Sequence, residues 1–225
     1  MLKKCGLFSL SLLLSLSLST LFAQESDLLL TNSQPINSDR YKGIKGDPYM
    51  FDEWRRGKII SEDADAIENV LLNFNGQTNG FEIKQGDKYI ELDPSWYLRV
   101  VVEGEKEGEK IVFQKNFYAP LNNKFTRIVY KGKTVTVVED FKSKVEKKVI
   151  NNVGKNEEIK TFYNRKNYFL IKDKKPVLFR TKKKSLLPML GMEKELESYM
   201  KKEKLKLNSE KDLIQLLTHY DSLKK

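Results

Sequence analysis

Between residues 57 and 180, short runs of Val, Ile, Phe and Tyr alternate with Gly, Asn and Asp, a pattern typical of antiparallel strands and turns. The loop Gly86-Asp87 contains residue types that tolerate the positive φ of a two-residue hairpin loop. Such a loop sets four apolar side chains on one face, in the pairs Ile83–Ile90 and Phe81–Leu92. Glu82 and Glu91 then lie on the other face, which we expect to be solvated. A one-residue slip of the register would bury these two glutamates, so such a slip is disfavoured. Pattern and loop therefore predict the same register.

A second hairpin is predicted around Lys131-Gly132. It joins the run 127–130 to the run 133–138, and both runs are rich in β-branched residues. A two-residue loop at this position sets Ile128 opposite Val135.

A third hairpin is predicted around Asp173-Lys174, between the runs 168–171 and 177–180. Pro176 has no backbone N–H to donate, so it fits an edge strand or a first strand position better than a central strand. Residues 141–150 are ambiguous, because their apolar positions satisfy both the two-residue period of a strand and the stripe of a helix.

After residue 182 the apolar spacing becomes helical, first over residues 192–200. The sequence from Ser209 to Asp212 then resembles a capping box, in which a serine oxygen accepts a hydrogen bond from a free backbone N–H group. The next residues form an i, i+3, i+4, i+7 stripe: Leu213, Leu216, Leu217 and Tyr220. Because a short helix is unstable alone, we expect this stripe to dock on the preceding helix or on the β-domain.

The N-terminal residues have the features of a secretory signal peptide. Lys3 and Lys4 give a positive start, an apolar run extends from Leu7 to Phe22, and Ala23 offers a small residue for cleavage. The run is shorter than the ~20 residues that span a bilayer. We therefore expect cleavage near Ala23 and a mature chain that is exported, either periplasmic or secreted, with no transmembrane segment.

The chain divides into four segments by pattern: a signal peptide (1–23), a linker or extended lead-in (24–40), an antiparallel β-domain (41–182) and a helical appendage (183–225). The predicted fold class is mainly β, with a meander that is either barrel-like or a sandwich. With its C-terminal α-helical appendage the whole chain is α+β.

The net charge of the chain is +10, and it falls to +8 when Lys3 and Lys4 are removed. The lysines form clusters at 142–148, 172–175, 182–184 and 201–206. In a cytoplasmic protein the aromatic and basic residues of 163–169 would suggest stacking on nucleic acid, but export argues against that partner. Anionic lipid head groups and acidic glycans are the alternative partners. We favour a simpler interpretation, in which the lysines solvate the surface and protect strand edges.

Few side chains suggest catalysis or metal binding. His219 is the only histidine and lies in the last turn of the predicted final helix, where we interpret it as a surface residue. No nucleophile motif accompanies it, so a Ser-His-Asp triad is disfavoured. Cys5, the only cysteine, lies in the signal peptide. The mature chain then has neither a disulfide nor the ligands of a classical zinc site.

Two groups of acidic residues have a metal site and a general acid, respectively, as alternative interpretations. One comprises Glu62, Asp63, Asp65 and Glu68, which could form a weak calcium site, but a solvated turn is favoured because the calcium-loop spacing is missing. In the other, Asp52 and Glu53 adjoin an aromatic residue and two arginines, so we favour an ion pair over a general acid. Nucleotide-binding glycine motifs are absent from the sequence. The sequence therefore assigns no catalytic, metal-binding or cofactor-binding residue and no cofactor.

The segment 43–54, with Gly43, Pro48, Tyr49 and Trp54, is followed by Gly57-Lys58-Ile59 and the strand 70–75. Together with 128–179 and the closing helix, this arrangement resembles uncharacterised exported proteins of Bacteroidota, which are mainly β with a C-terminal helical segment. The resemblance implies the location and the fold. Such families have no established activity, so it implies no catalytic residues.

The leading functional hypothesis is therefore a soluble exported protein that binds or scaffolds without catalysis in the envelope or outside the cell. Its partner would be an envelope protein, an anionic glycan or a lipid head group. One alternative is a hydrolase that acts on an envelope or extracellular glycan through paired carboxylates. Another is a basic adaptor bound peripherally to an anionic membrane.

Overall fold

A computed structural model describes residues 33–37, 39–152 and 155–224. The predicted signal peptide and residues 24–32 of the lead-in lie outside the described residues. In the described part of the chain, twelve strands form one open sheet: β1 (Ser33–Pro35), β2 (Ile44–Lys45), β3 (Arg55–Ser61), β4 (Ala66–Asn75), β5 (Gly80–Gln85), β6 (Lys88–Leu92), β7 (Tyr97–Glu103), β8 (Lys110–Gln114), β9 (Thr126–Lys131), β10 (Thr136–Asn152), β11 (Lys155–Lys172) and β12 (Lys175–Phe179). Three helices follow: α1 (Lys183–Leu190), α2 (Glu193–Lys202) and α3 (Glu210–Leu223).

The strand order is β1-β6-β5-β4-β3-β7-β8-β9-β10-β11-β12, with every neighbouring pair antiparallel. The short strand β2 pairs in parallel with β11, where Ile44 lies opposite Lys160. Because most neighbours in the sheet are also neighbours in the chain, the fold is a meander. The predicted fold class, mainly β with C-terminal helices, is confirmed.

Strands β3–β8 bury one face in a first core: Phe51, Ile59, Ile67, Leu72, Phe74, Phe81, Ile83, Leu92, Tyr97, Val100, Val102, Phe113, Phe125 and Phe141. Its aromatic rings stack and tilt against one another, as in the stacked pair of Tyr97 and Phe125 at 4.6 Å between centroids. The end of β4 also touches β10, because the Ser143 N–H donates to the Gly76 carbonyl at 3.0 Å. A Cβ at Gly76 would lie 2.6 Å from the Phe141 ring, so this approach needs glycine.

The helices and β9–β12 enclose a second core: Val129, Val135, Val137, Leu170, Phe179, Leu186, Leu187, Leu190, Leu196, Met200, Leu207, Leu213, Leu216, Leu217 and Tyr220. The predicted stripe of α3 is completely buried there. Ser209 caps the helix by accepting from the Asp212 N–H at 3.1 Å, as its sequence predicts. The expectation that this helix docks is thus confirmed, and it docks in a core that sheet and helices share.

Two of the three predicted hairpins have the expected loops. Ile83 lies opposite Ile90 across Gly86-Asp87. Lys172 lies opposite Lys175 across Asp173-Lys174, whose φ values of 51° and 62° are those of a tight hairpin turn. Pro176 lies in β12, at the edge of the sheet, as predicted.

The predicted register of the second hairpin is wrong. Ile128 lies opposite Val138 rather than Val135, because the turn is longer than two residues and the β9–β10 register shifts once. The ambiguous segment 141–150 is strand, within the 17-residue β10.

Candidate binding site

The segments 33–37 and 39–50, here together called the N-terminal strap, cover the outer face of β5 and β6. Its first residues form β1 on the edge of β6, and the Ile36 N–H donates to the Tyr89 carbonyl at 2.9 Å. Its far end is tied to β4, where the Met50 N–H donates to the Phe74 carbonyl at 3.0 Å. The strap therefore covers a sheet face that the alternation of the hairpin would leave to solvent.

Glu82 is consequently buried, with 0% of its surface exposed, and its expected position on a solvated face is wrong. Its side chain does leave the sheet on the side away from the first core, but the strap packs over it. Oε1 accepts from Asn75 Nδ2 at 2.5 Å and from the Arg40 guanidinium, while Oε2 accepts from the Tyr49 hydroxyl at 2.8 Å. Protein donors thus occupy both carboxylate oxygens.

The charges of this network shift the pKa values of its neighbours. Burial alone would lower the pKa of Arg40, but the charge of Glu82, a charge interaction with Tyr41 and hydrogen bonds to Tyr49 and Glu82 together raise that pKa above its ordinary value. Burial and then the charge of Glu82 raise the pKa of Tyr49, which stays protonated and donates. At neutral pH Arg40 therefore stays charged and Tyr49 stays a neutral phenol.

An aromatic cleft of about 250 Å³ opens between the strap and β6. It is lined by Ile36, Asn37, Arg40, Tyr41, Tyr49, Trp54, Glu82 and Tyr89. Three of its rings form a continuous series, with Trp54 5.7 Å from Tyr49 and 5.3 Å from Tyr89 between centroids. Each of these rings is only partly buried, so its remaining surface can meet a ligand.

Cations of the chain already approach two of the tyrosine rings. The Arg40 guanidinium lies over the Tyr41 ring at 4.6 Å, and Lys84 Nζ lies 6.0 Å from the centre of the Tyr89 ring. Arg40 is in turn matched by Glu82 and, at 3.9 Å, by Glu91. The cleft thus offers aromatic surface and hydrogen-bonding groups beside a cation whose charge is compensated.

A second, charged cleft of about 380 Å³ is lined by four acidic and three basic side chains together with Met50, Phe51 and Ile111. At its base Arg127 donates to Glu139 at 2.5 Å and to Glu210 at 2.5 and 2.9 Å. Burial alone would lower the pKa of Arg127, but the hydrogen bonds and charges of Glu210 and Glu139 raise it above its ordinary value. The hydrogen bonds from Arg127 in turn hold the pKa of Glu210 below its usual range. These ion pairs fix the first turn of α3 to β9 and β10.

The other candidate residues from the sequence are packed, ion-paired or exposed. His219 stacks on Tyr199 at 3.7 Å and 10°. The acidic group at 62–68 is an exposed turn and strand start, and the described residues contain no group of three potential metal ligands. Arg55 pairs with Glu105 at 3.1 Å rather than with its exposed neighbours Asp52 and Glu53.

Several lysines of the basic clusters pair with acids, such as Lys147 with Glu158 at 3.3 Å and Lys183 with Glu197 at 2.9 Å. Tyr163 is exposed, whereas Tyr168 is partly buried against Phe179, because neighbouring odd and even positions of β11 face opposite sides.

Sequence reasoning missed most of the aromatic cleft. Tyr49 and Trp54 belong to the segment that carried the resemblance, but Arg40, Tyr41 and Tyr89 were not singled out. The density of aromatic residues between positions 41 and 54 was the available signal. It does not reveal that the strap meets β5 and β6.

Within the described ranges, no helix has the length and apolar character needed to cross a bilayer. Comparison of the chain with protein-family models, with curated proteins and with solved structures finds no match.

Proposed function

We propose that this is an exported, non-enzymatic binding protein that holds a sugar unit of an envelope or extracellular glycan in the aromatic cleft. The observation that carries the proposal is the ring series of Tyr49, Trp54 and Tyr89 beside the polar groups of the strap. A sugar ring has an apolar C–H face, which packs on aromatic rings, and hydroxyl groups at its edge, which need hydrogen-bonding partners. Aromatic walls with a few placed polar groups are typical of small-ligand sites.

The arrangement of the carboxylates favours binding over hydrolysis. Glu82 and Glu91 are directly opposite each other in the sheet, and Arg40 contacts both. A glycosidase needs one carboxyl group to give a proton and the other to attack or to activate water at the sugar. Glu82 has both oxygens engaged by protein donors and no exposed surface, so it is unsuited to either step.

Export rests on the N-terminal pattern. The basic start, the apolar run ending at Phe22 and the small Ala23 support cleavage and release from the cytoplasm. Fractionation of cells followed by N-terminal sequencing tests it. Recovery of a chain that starts near Gln24 outside the cytoplasm is expected, and an intact Met1 in the envelope would contradict it.

Binding is tested on a glycan array with the wild-type protein, Trp54→Ala and Tyr163→Ala. Tyr163 is a matched aromatic control, since it is 58% exposed and lies outside the cleft. We expect wild type and Tyr163→Ala to retain the same glycans and Trp54→Ala to lose them, with unchanged thermal melting. Retention that does not depend on Trp54 would refute the assignment of the cleft, and release of new reducing ends would show a hydrolase instead.

A further inference from the structure

The charge of the aromatic cleft differs from the charge of the whole chain. The chain has a net charge of +10, so its surface attracts polyanions in general. In the cleft, however, Arg40 is paired with the buried Glu82 and faces Glu91 at 3.9 Å. Lys84, whose Nζ lies 6.0 Å from the centre of the Tyr89 ring, is the second cation at the cleft. Two cations thus face two carboxylates, so the cleft has no net positive charge for an incoming carboxylate or sulfate group. An acidic sugar would lose water at this site without a net opposite charge to compensate it.

A cationic ligand is disfavoured as well. Aromatic cages recognise quaternary ammonium groups through open ring faces. Here Arg40 lies 4.6 Å over the Tyr41 ring, and Lys84 lies 6.0 Å from the centre of the Tyr89 ring. A second cation at these rings would meet the repulsion of the first.

The polar groups that remain suit hydroxyls. The Tyr41 hydroxyl accepts from Asn75 Nδ2 at 2.8 Å, so its own proton is available to a ligand oxygen. The Tyr49 hydroxyl gives its proton to Glu82 at 2.8 Å, so it retains acceptor capacity. Burial raises the pKa of both phenols, and the charge of Glu82 acts in the same direction, so both stay neutral. The hydroxyl groups of a sugar both donate and accept, so they suit each of these two phenols.

From this balance we infer that the cleft selects an uncharged sugar ring, stacked on Trp54 and Tyr89, and rejects uronic or sulfated sugars. The inference rests on the proposed glycan-binding function and narrows its ligand class. It also separates two modes of binding to glycans. Neutral sugars bind in the cleft, whereas acidic polymers bind only to the lysine-rich surface.

Calorimetric titration with neutral oligosaccharides and with oligogalacturonate separates these modes. Ionic strength is varied from about 0.01 M to about 1 M, over which the Debye length falls from roughly 30 Å to 3 Å. For a neutral ligand we expect Trp54→Ala to weaken binding by about tenfold or more, since an aromatic contact contributes on that order. Increasing salt should change the affinity for the neutral ligand little. For oligogalacturonate we expect binding that salt abolishes and that Trp54→Ala leaves unchanged.

Two other outcomes are decisive. Salt-resistant binding of oligogalacturonate that requires Trp54 would overturn the selection of uncharged sugars while leaving the glycan-binding function in place. Absence of Trp54-dependent binding for either class would overturn both. Tyr163→Ala serves as the control for a general effect of aromatic removal, and Glu91→Gln removes one carboxylate facing Arg40. If Glu91→Gln creates Trp54-dependent binding of oligogalacturonate, the charge argument is supported directly.

Discussion

The carboxylate of Glu82 fastens the N-terminal strap to the sheet. It accepts hydrogen bonds from Arg40 and Tyr49 of the strap and from Asn75 of β4. A buried anion of this kind is tolerated only because it is paired and fully hydrogen-bonded. The same side chain therefore determines both the position of the strap and the charge of the aromatic cleft.

Replacement of Glu82 by Gln should be strongly destabilising. It leaves the Arg40 guanidinium partly buried without its main partner, and breaking such a pair costs about 3 kcal/mol. Glu91→Gln is the matched control, because Glu91 is partly exposed and its nearest approach to Arg40 is 3.9 Å, so we expect a loss within about 1 kcal/mol. Urea denaturation of the two variants measures the difference. Equal losses would mean that Glu82 is solvated and that the strap does not cover it.

Glu82 also marks a limit of sequence reasoning. Alternation along β5 correctly separates Phe81 and Ile83 from Glu82, because the two-residue period is a local property. Whether the second face is solvated depends on the strap, whose contacts with Glu82 come from Tyr49 and Arg40, 33 and 42 residues away in the chain. A charged residue in an alternating strand is usually exposed, and here a remote segment supplies the partners that allow burial.

Helix α3 is attached to the sheet by Asp221 near its C-terminal end. The carboxylate accepts from the Tyr130 hydroxyl at 2.7 Å, from the Lys133 N–H at 2.9 Å and from the Thr134 N–H at 3.2 Å, as well as from the Thr134 hydroxyl. A Cβ at Gly132 would overlap this carboxylate, so the turn between β9 and β10 requires glycine there. A residue of α3 thus supplies the hydrogen-bond acceptors for two backbone N–H groups of this turn.

This attachment explains why the register of the second hairpin could not be predicted. Gly86-Asp87 and Asp173-Lys174 form two-residue loops, and local turn chemistry is enough to place them. Between β9 and β10 the turn is longer, and its backbone N–H groups bond to Asp221, 87 or 88 positions further along the chain. Local residue preferences cannot report such a partner.

Acid should weaken the docking of α3. Burial alone would raise the pKa of Asp221, but the bonds from Thr134 and Tyr130 hold it below its usual value, and Arg127 lowers that of Glu210. Because both folded pKa values lie below the unfolded ones, this stability is complete above about pH 4.5 and is lost as the pH falls through the folded pKa.

Asp221→Asn tests this dependence. At neutral pH we expect a loss of about 2 kcal/mol in the free energy of unfolding, typical of hydrogen bonds to a charged group. As the pH falls through the folded pKa of Asp221, the variant and the wild type should converge, since the wild-type carboxyl becomes protonated. Asp63→Asn, in the exposed β3–β4 turn, should leave the pH profile unchanged. A constant difference between Asp221→Asn and wild type at all pH values would contradict the linkage.

Strand β10 contributes side chains to both cores. On one face of β10, Val137 lies in the second core and Phe141 lies in the first. Glu139 is between them on the same face and accepts from Arg127, which also holds Glu210 of α3. The helices therefore belong to the same packed structure as the meander, although their sequence reads as an appendage.

Truncation of Leu217 to Ala should therefore destabilise the whole molecule. Leu217 is completely buried in the second core, and a cavity there costs about 3 kcal/mol. Tryptophan fluorescence reports on Trp54 and Trp96, which lie on the meander, whereas far-ultraviolet circular dichroism reports on the helices. Because β10 and the Arg127 cluster join the cores, we expect both signals to unfold in one transition and to shift by the same amount. Val149→Ala, at a 58% exposed position of β10, should shift neither signal. A shift of the dichroism transition alone would mean that the helices and the meander unfold independently.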